Sequence, residues 1–141
     1  MMRTLTELRK DMDKAIKADI VPVLRAEGFK GSYPNFYRRD GDRLDLLSFG
    51  FNRYGGGVSL CVGQCQAGDF TTSWGQIIPL TKMTSAYLAS NLRHEFGLQG
   101  PDGQTDFSFK YGRIADCVGQ IKIHMSEVWQ WFGTPRAYRE G

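Results

Sequence analysis

The sequence predicts an α+β domain: an antiparallel sheet of about four strands with helices packed on one face, in the order α-β-β-β-α-β-α. Three observations carry this. Apolar residues recur at helical spacing at both ends of the chain. Between them lie three consecutive β-prone runs joined by the turn sequences Asp40-Gly41 and Gly55-Gly56-Gly57. The composition is rich in aromatics (9 Phe, 6 Tyr, 3 Trp) and holds 17 Gly, which suit half-buried strands and tight turns. The chain of 141 residues is read as one domain spanning residues 1–141. A chain of this length buries about 70% of its unfolded surface, enough for a core without disulfides or metals.

The first helix follows Leu5, Leu8, Met12, Ala15, Ile16, Ile20, Val23 and Leu24, spaced three and four apart. Thr4 and Glu7 have the spacing of a capping box. Gly28 ends the helix, and Phe29 folds back on its last turn. Pro22 removes an internal hydrogen bond, so a bend near Ile20 or a second short helix with Pro22 in its first turn is expected. Phe36-Tyr37-Arg38 forms the first strand. Residues 43–54 form a second, with Leu47, Phe49 and Phe51 on one face and Leu44 and Leu46 on the other, so it is expected to be central. Residues 58–66 form its partner, with Val58, Leu60 and Val62 opposite Ser59, Cys61 and Cys65. Residues 67–83 read as a loop with one short strand around Trp74, Ile77 and Ile78. Tyr87, Leu88, Leu92 and Phe96 predict a helix over 85–96. Phe107, Phe109 and Tyr111 alternate as a further strand. The last helix spans about Ile114 to Phe132 and stops at Gly133-Thr134-Pro135.

Composition also excludes function classes. The net charge is +3, with the excess in residues 1–66. That is too sparse for a dense phosphate-gripping face. Three cysteines, Cys61, Cys65 and Cys117, argue against a disulfide framework and for a reducing compartment. No apolar run reaches the roughly 18 residues of a membrane span, and the charged N-terminus does not read as a secretory signal. The expectation is a cytoplasmic protein without membrane contact.

No catalytic or metal constellation emerges. Cys61 and Cys65 would share a strand face but sit about 13 Å apart, too far for one zinc ion. His94-Glu95 lacks the second histidine of a zinc-protease motif, because Leu98 occupies its place. The triple glycine lies between strands, without the helix N-terminus of a phosphate loop. Asp40, Asp42 and Asp45 lack the terminal bidentate Glu of a calcium loop and read as turn chemistry. No cofactor and no metal is expected.

One constellation points to binding. Tyr33, Tyr37, Arg38, Arg39, Arg43, Arg53 and Tyr54 interleave arginine and tyrosine over adjoining strands, and cross-strand pairing would gather several on one face. These residue types are enriched at binding hot spots. The alternative is an edge hairpin kept soluble by arginine, with Phe36 in the core. On the last helix Trp131 is turned well away from Trp129, so one tryptophan is expected to be partly exposed and available to a partner.

The N-terminal half resembles a known pattern. Ile20-Val21-Pro22-Val23-Leu24, then Glu27-Gly28-Phe29-Lys30, then Phe36-Tyr37-Arg38 and a strand with Phe49 and Phe51 are similar to the bacterial family catalogued as domain of unknown function 4304. The resemblance covers about residues 16–66. The late tryptophan pair of that family is matched by Trp129 and Trp131, here separated by Gln130. The resemblance implies no catalytic residues, since the family has no established activity. Domains of this size and class resemble immunity proteins, which neutralise a cognate toxin by binding it; that is a likeness of fold and size.

The functional expectation is therefore a non-enzymatic protein-binding module of bacterial type, an immunity-type protein whose partner is a cognate toxin. The alternatives are a nucleic-acid binder using the same arginines and tyrosines, and an enzyme of unknown class involving Cys117 or His94.

Overall fold

The N-terminal periodicity becomes two helices because Pro22 cannot continue the first. In a computed structural model, which describes residues 4–51, 56–99, 105–109 and 113–134, α1 spans Leu5–Asp19 and α2 spans Val21–Ala26. Thr4 Oγ1 accepts from the Glu7 amide at 3.1 Å and caps α1. Ile20 closes α1 onto the Ile16 carbonyl, and Pro22 lies in the first turn of α2. Gly28, at φ +90°, lets the Phe29 amide return to the Leu24 carbonyl at 3.0 Å. Leu8, Met12, Ile16, Ile20 and Leu24 form the buried stripe that results.

The strands that follow are β1 (Lys30–Ser32), β2 (Asn35–Asp40), β3 (Arg43–Phe51) and β4 (Gly57–Gln66), each antiparallel to the next. The predicted meander is therefore present, and β3 and β4 are its long central pair. Beyond β4, β7 (Arg93–Phe96) pairs with residues 60–63 and β9 (Thr105–Ser108) with residues 57–58. The two-residue β8 (Leu98–Gln99) pairs with β9. Among the described residues the sheet has seven strands, more than expected from sequence, because β1 and β8 are too short to carry an alternation signal and β7 falls where a helix was expected.

Both faces of this sheet are covered. On one, Phe36, Leu47, Phe49, Val58, Leu60, Val62 and Phe107 pack under α1, α2 and α3 (Ile114–Gly133), whose stripe is Cys117, Val118, Ile121, Met125, Val128 and Phe132. On the other, Leu44, Leu46 and Cys65 pack under Ile78, Met83 and Leu88 from the segment between β4 and β7. That segment holds a small hairpin, β5 (Phe70–Thr71) with β6 (Ile77–Ile78), followed by three single 3-10 turns.

The helix predicted over 85–96 does not form. Ser85–Tyr87 and Ser90–Leu92 are 3-10 turns, and Arg93–Phe96 is strand β7. Ser85, Ser90 and Asn91 are weak helix formers, while the edge of β4 offers Arg93–Phe96 a full set of backbone partners. Gly63 makes the cover possible. A Cβ there would lie 2.7 Å from Leu88 Cδ1 and 2.9 Å from Ser85 Cβ, so only glycine admits this close approach. Tyr111, expected on the strand now assigned as β9, lies outside the described residues.

Candidate functional site

The Tyr/Arg constellation is distributed over the molecule and not gathered on one open face. Arg38, on β2, points under the helices. Its Nε and Nη2 donate to Asp45 Oδ2 at 3.0 and 2.8 Å, and Nη1 donates to the Glu27 carbonyl at 2.9 Å. Its guanidinium also lies 4.6 Å from the Phe29 ring centroid and 5.5 Å from that of Phe132, a cation–π setting. Arg43 approaches the same carboxylate: Nη2 donates to Oδ2 at 3.3 Å, and Nε is 3.2 Å from Oδ1 in ion-pair contact without hydrogen-bond geometry. Gln64 Nε2 supplies the remaining donor, bonding Asp45 Oδ1 at 2.9 Å and the Phe132 carbonyl at 3.0 Å. Asp45 is fully buried, so it is not turn chemistry: it is the hub tying β2, β3, β4 and α3 together.

The other expected contact residues divide. Tyr33 is half-buried; its hydroxyl donates to Asp13 Oδ1 at 2.6 Å and its ring packs on Phe49. Burial, then the Asp13 hydrogen bond, pushes its phenol above the usual range. Tyr37 packs against the second core. Arg39 is exposed and bonds only locally, from Nε to the Gly41 carbonyl. Trp131 and Trp129 are both half-buried against the main core, so neither stands out as the exposed one. Arg53 and Tyr54 lie outside the described residues. His94 sits on β7, not on a helix, with its ring edge-on to Phe96. Cys117 is buried in α3.

Two other surfaces emerge on the sheet face away from the helices. The first is a groove of about 670 Å³. Strand register builds its floor, because Asn35 pairs with Ser48, Ser48 with Cys61 and Cys61 with Glu95, a row running across four strands. Arg93, Ser85 and Ser90 form part of the wall. The Cys61 thiol is pushed up, first by burial and then by the Glu95 carboxylate. Ser59 Oγ, 3.9 Å away, and Arg93 act in the opposite sense.

The second surface is the β5–β6 hairpin. Thr72 fixes its turn: its amide donates to the Gln76 carbonyl at 2.8 Å and its Oγ1 accepts from the Gln76 amide at 3.0 Å. Phe70 and Ile78 face the second core, which leaves Ile77 on the outside and Trp74 at the turn. Ile77 is 64% exposed and Trp74 69%. Tyr87 packs its ring against Phe70 on the core side of the hairpin. Sequence reading placed Trp74 and Ile77 in this segment without singling them out. The available signal was a tryptophan and an isoleucine in a stretch otherwise rich in Gly, Thr and Ser.

Among the described residues, no group of three or more His, Cys, Asp and Glu side chains is placed to hold a metal ion. Among them also, no helix is long and apolar enough to cross a membrane. No curated protein and no solved structure matches the chain. The model of a family described as a domain of unknown function (DUF4304) does match, over residues 5–134, and the chain belongs to that family.

Proposed function

We propose that the chain is a non-enzymatic protein-binding module of the immunity type, which neutralises a cognate toxin by direct binding. The observation that supports this reading is the exposure of Trp74 and Ile77 on a hairpin whose turn is fixed by Thr72. A large aromatic and a branched aliphatic side chain held in water on a rigid element lose hydration when a partner covers them, and ordering costs little because the backbone is already set. The elevated thiols of Cys61 and Cys65 fit a chain that does not work through a thiolate nucleophile. The partner face in this reading moves from the Tyr/Arg strands to the cover segment. Arg38 and Arg43 serve Asp45, which leaves Arg39 as the exposed member of the described group.

The test is co-expression with the product of the neighbouring gene. A stable complex on size exclusion is expected, weakened about 100-fold by Trp74→Ala with Ile77→Ala, a loss on the scale of a hot-spot pair. No complex, or a double variant that binds like the wild type, would remove the assignment.

A further inference from the structure

We propose that the groove on the outer sheet face binds a small zwitterion of the amino-acid class, either free or as a short peptide. This goes beyond the protein-binding reading and uses a different surface from Trp74 and Ile77.

The groove is already shaped. Its volume of about 670 Å³ lies within the usual range for small-molecule sites. Its lining mixes apolar surface with polar side chains, and among the described residues those of Asn35, Ser48, Ser85, Ser90, Arg93 and Glu95 make no hydrogen bond or ion pair.

The charges define the ligand. Arg93 and Glu95 are two residues apart on β7, so both side chains leave the same face, with Cα atoms about 7 Å apart. Both line the groove, Glu95 opposite Cys61 and Arg93 opposite Gly63 on β4. Yet they do not pair with each other. A guanidinium and a carboxylate flanking one concavity without meeting can be bridged by a molecule carrying the opposite charges in the opposite order. A carboxylate would take the Arg93 fork, and an ammonium would take Glu95. Ser48 and Asn35, next along the row from Cys61, offer further donors and acceptors.

Other ligand classes fit less well. His94 carries the one ring in the lining, and it is packed edge-on against Phe96, so a base or a sugar finds no stacking platform. A purely anionic ligand would meet Glu95. Charges on an edge strand commonly guard against sheet-to-sheet pairing, but a guard needs only to face water and gains nothing from a walled groove.

Calorimetric titration of the whole chain with L-alanine, the other common L-amino acids and tri-alanine tests this, with N-acetyl-tri-alanine amide as the uncharged control. At least one uncapped probe is expected to bind with Kd below about 1 mM, and the capped control about tenfold or more weaker. Arg93→Ala and, separately, Glu95→Gln should each lower the affinity for that probe about tenfold, with unchanged unfolding midpoints. A free amino acid outranking tri-alanine identifies a metabolite site; the reverse identifies a peptide-end site. Absence of binding by every uncapped probe at about 10 mM would overturn the proposal. So would binding that is indifferent to capping or to Arg93→Ala.

Discussion

Arg38 donates two hydrogen bonds to a single oxygen of Asp45, at 3.0 and 2.8 Å, and so acts as the counter-ion of a fully buried carboxylate. Removing that carboxylate leaves Arg38 and Arg43 without their shared anion. Asp45→Ala is expected to destabilise the chain by about 3 kcal/mol or more in urea unfolding. Arg39→Ala, at an exposed position, should stay within about 0.5 kcal/mol of the wild type. A shift below about 1 kcal/mol for Asp45→Ala would show that the hub is not needed.

Tyr33 and Asp13 tie the β1–β2 turn to α1 through one hydrogen bond of 2.6 Å. Tyr33→Phe removes it and should cost about 1–2 kcal/mol. The pH dependence follows from the raised phenol. In the unfolded chain Tyr33 ionises near 10, whereas the folded chain holds its proton to higher pH. The folded state binds more protons there, so this contribution is complete below about pH 10 and declines as pH rises above it. Ultraviolet phenolate titration of the wild type against Tyr33→Phe should show one tyrosine titrating late. Equal numbers of phenolates at pH 11 are expected in both proteins, and one more in the wild type at that pH would contradict this.

Cys65 behaves in the same sense at lower pH. Burial and then the Asp45 carboxylate push its thiol up to about 11. Its contribution is complete below about pH 9 and is lost as pH rises toward 11. Ellman's reagent at neutral pH should therefore label half-exposed Cys61 slowly, and should label Cys65 and Cys117 only after unfolding. Rapid labelling of Cys65 in the native protein would show that the cover segment opens freely.

Gly63 carries that cover. Gly63→Ala places a methyl 2.7 Å from Leu88 Cδ1 and 3.3 Å from the Ser85 backbone, so the segment must lift. The expected cost is about 1–3 kcal/mol. Hydrogen exchange should accelerate at residues 83–92, with the α1–α3 core unchanged. Uniform loss of protection would mean that the cover and the helical core unfold as one unit.

Much of the architecture was readable because it rests on local patterns. The Thr4 cap, the break at Ile20, the Gly28 closure and the face assignments of β3 and β4 all follow from spacing. The same alternation contained a clue to the second core: Leu44 and Leu46 on the face away from the helices require a cover, and residues 85–96, expected as a helix, contribute to it in another form. The cover is instead made of 3-10 turns seated on Gly63. It was illegible because its stability comes from contacts with β4, distant in sequence, which outweigh the helix propensity of Ala86, Leu88, Ala89 and Leu92. The arginines misled for a related reason. The strand runs put Arg38 and Asp45 on adjoining strands, but the aromatic enclosure of Arg38 needs Phe132, far along the chain. The groove likewise appears only once register sets Asn35, Ser48, Cys61 and Glu95 in one row.

The central claim is that partners meet the Trp74 and Ile77 surface while Arg38 and Arg43 serve the interior. Calorimetric titration of the neighbouring gene's product into wild type, the Trp74→Ala/Ile77→Ala double variant and Arg39→Ala tests it most directly. The account predicts about a 100-fold loss for the double variant at unchanged thermal stability, and less than about a threefold change for Arg39→Ala. Full affinity in the double variant together with a large loss in Arg39→Ala would contradict it and return the partner face to the β2–β3 strands.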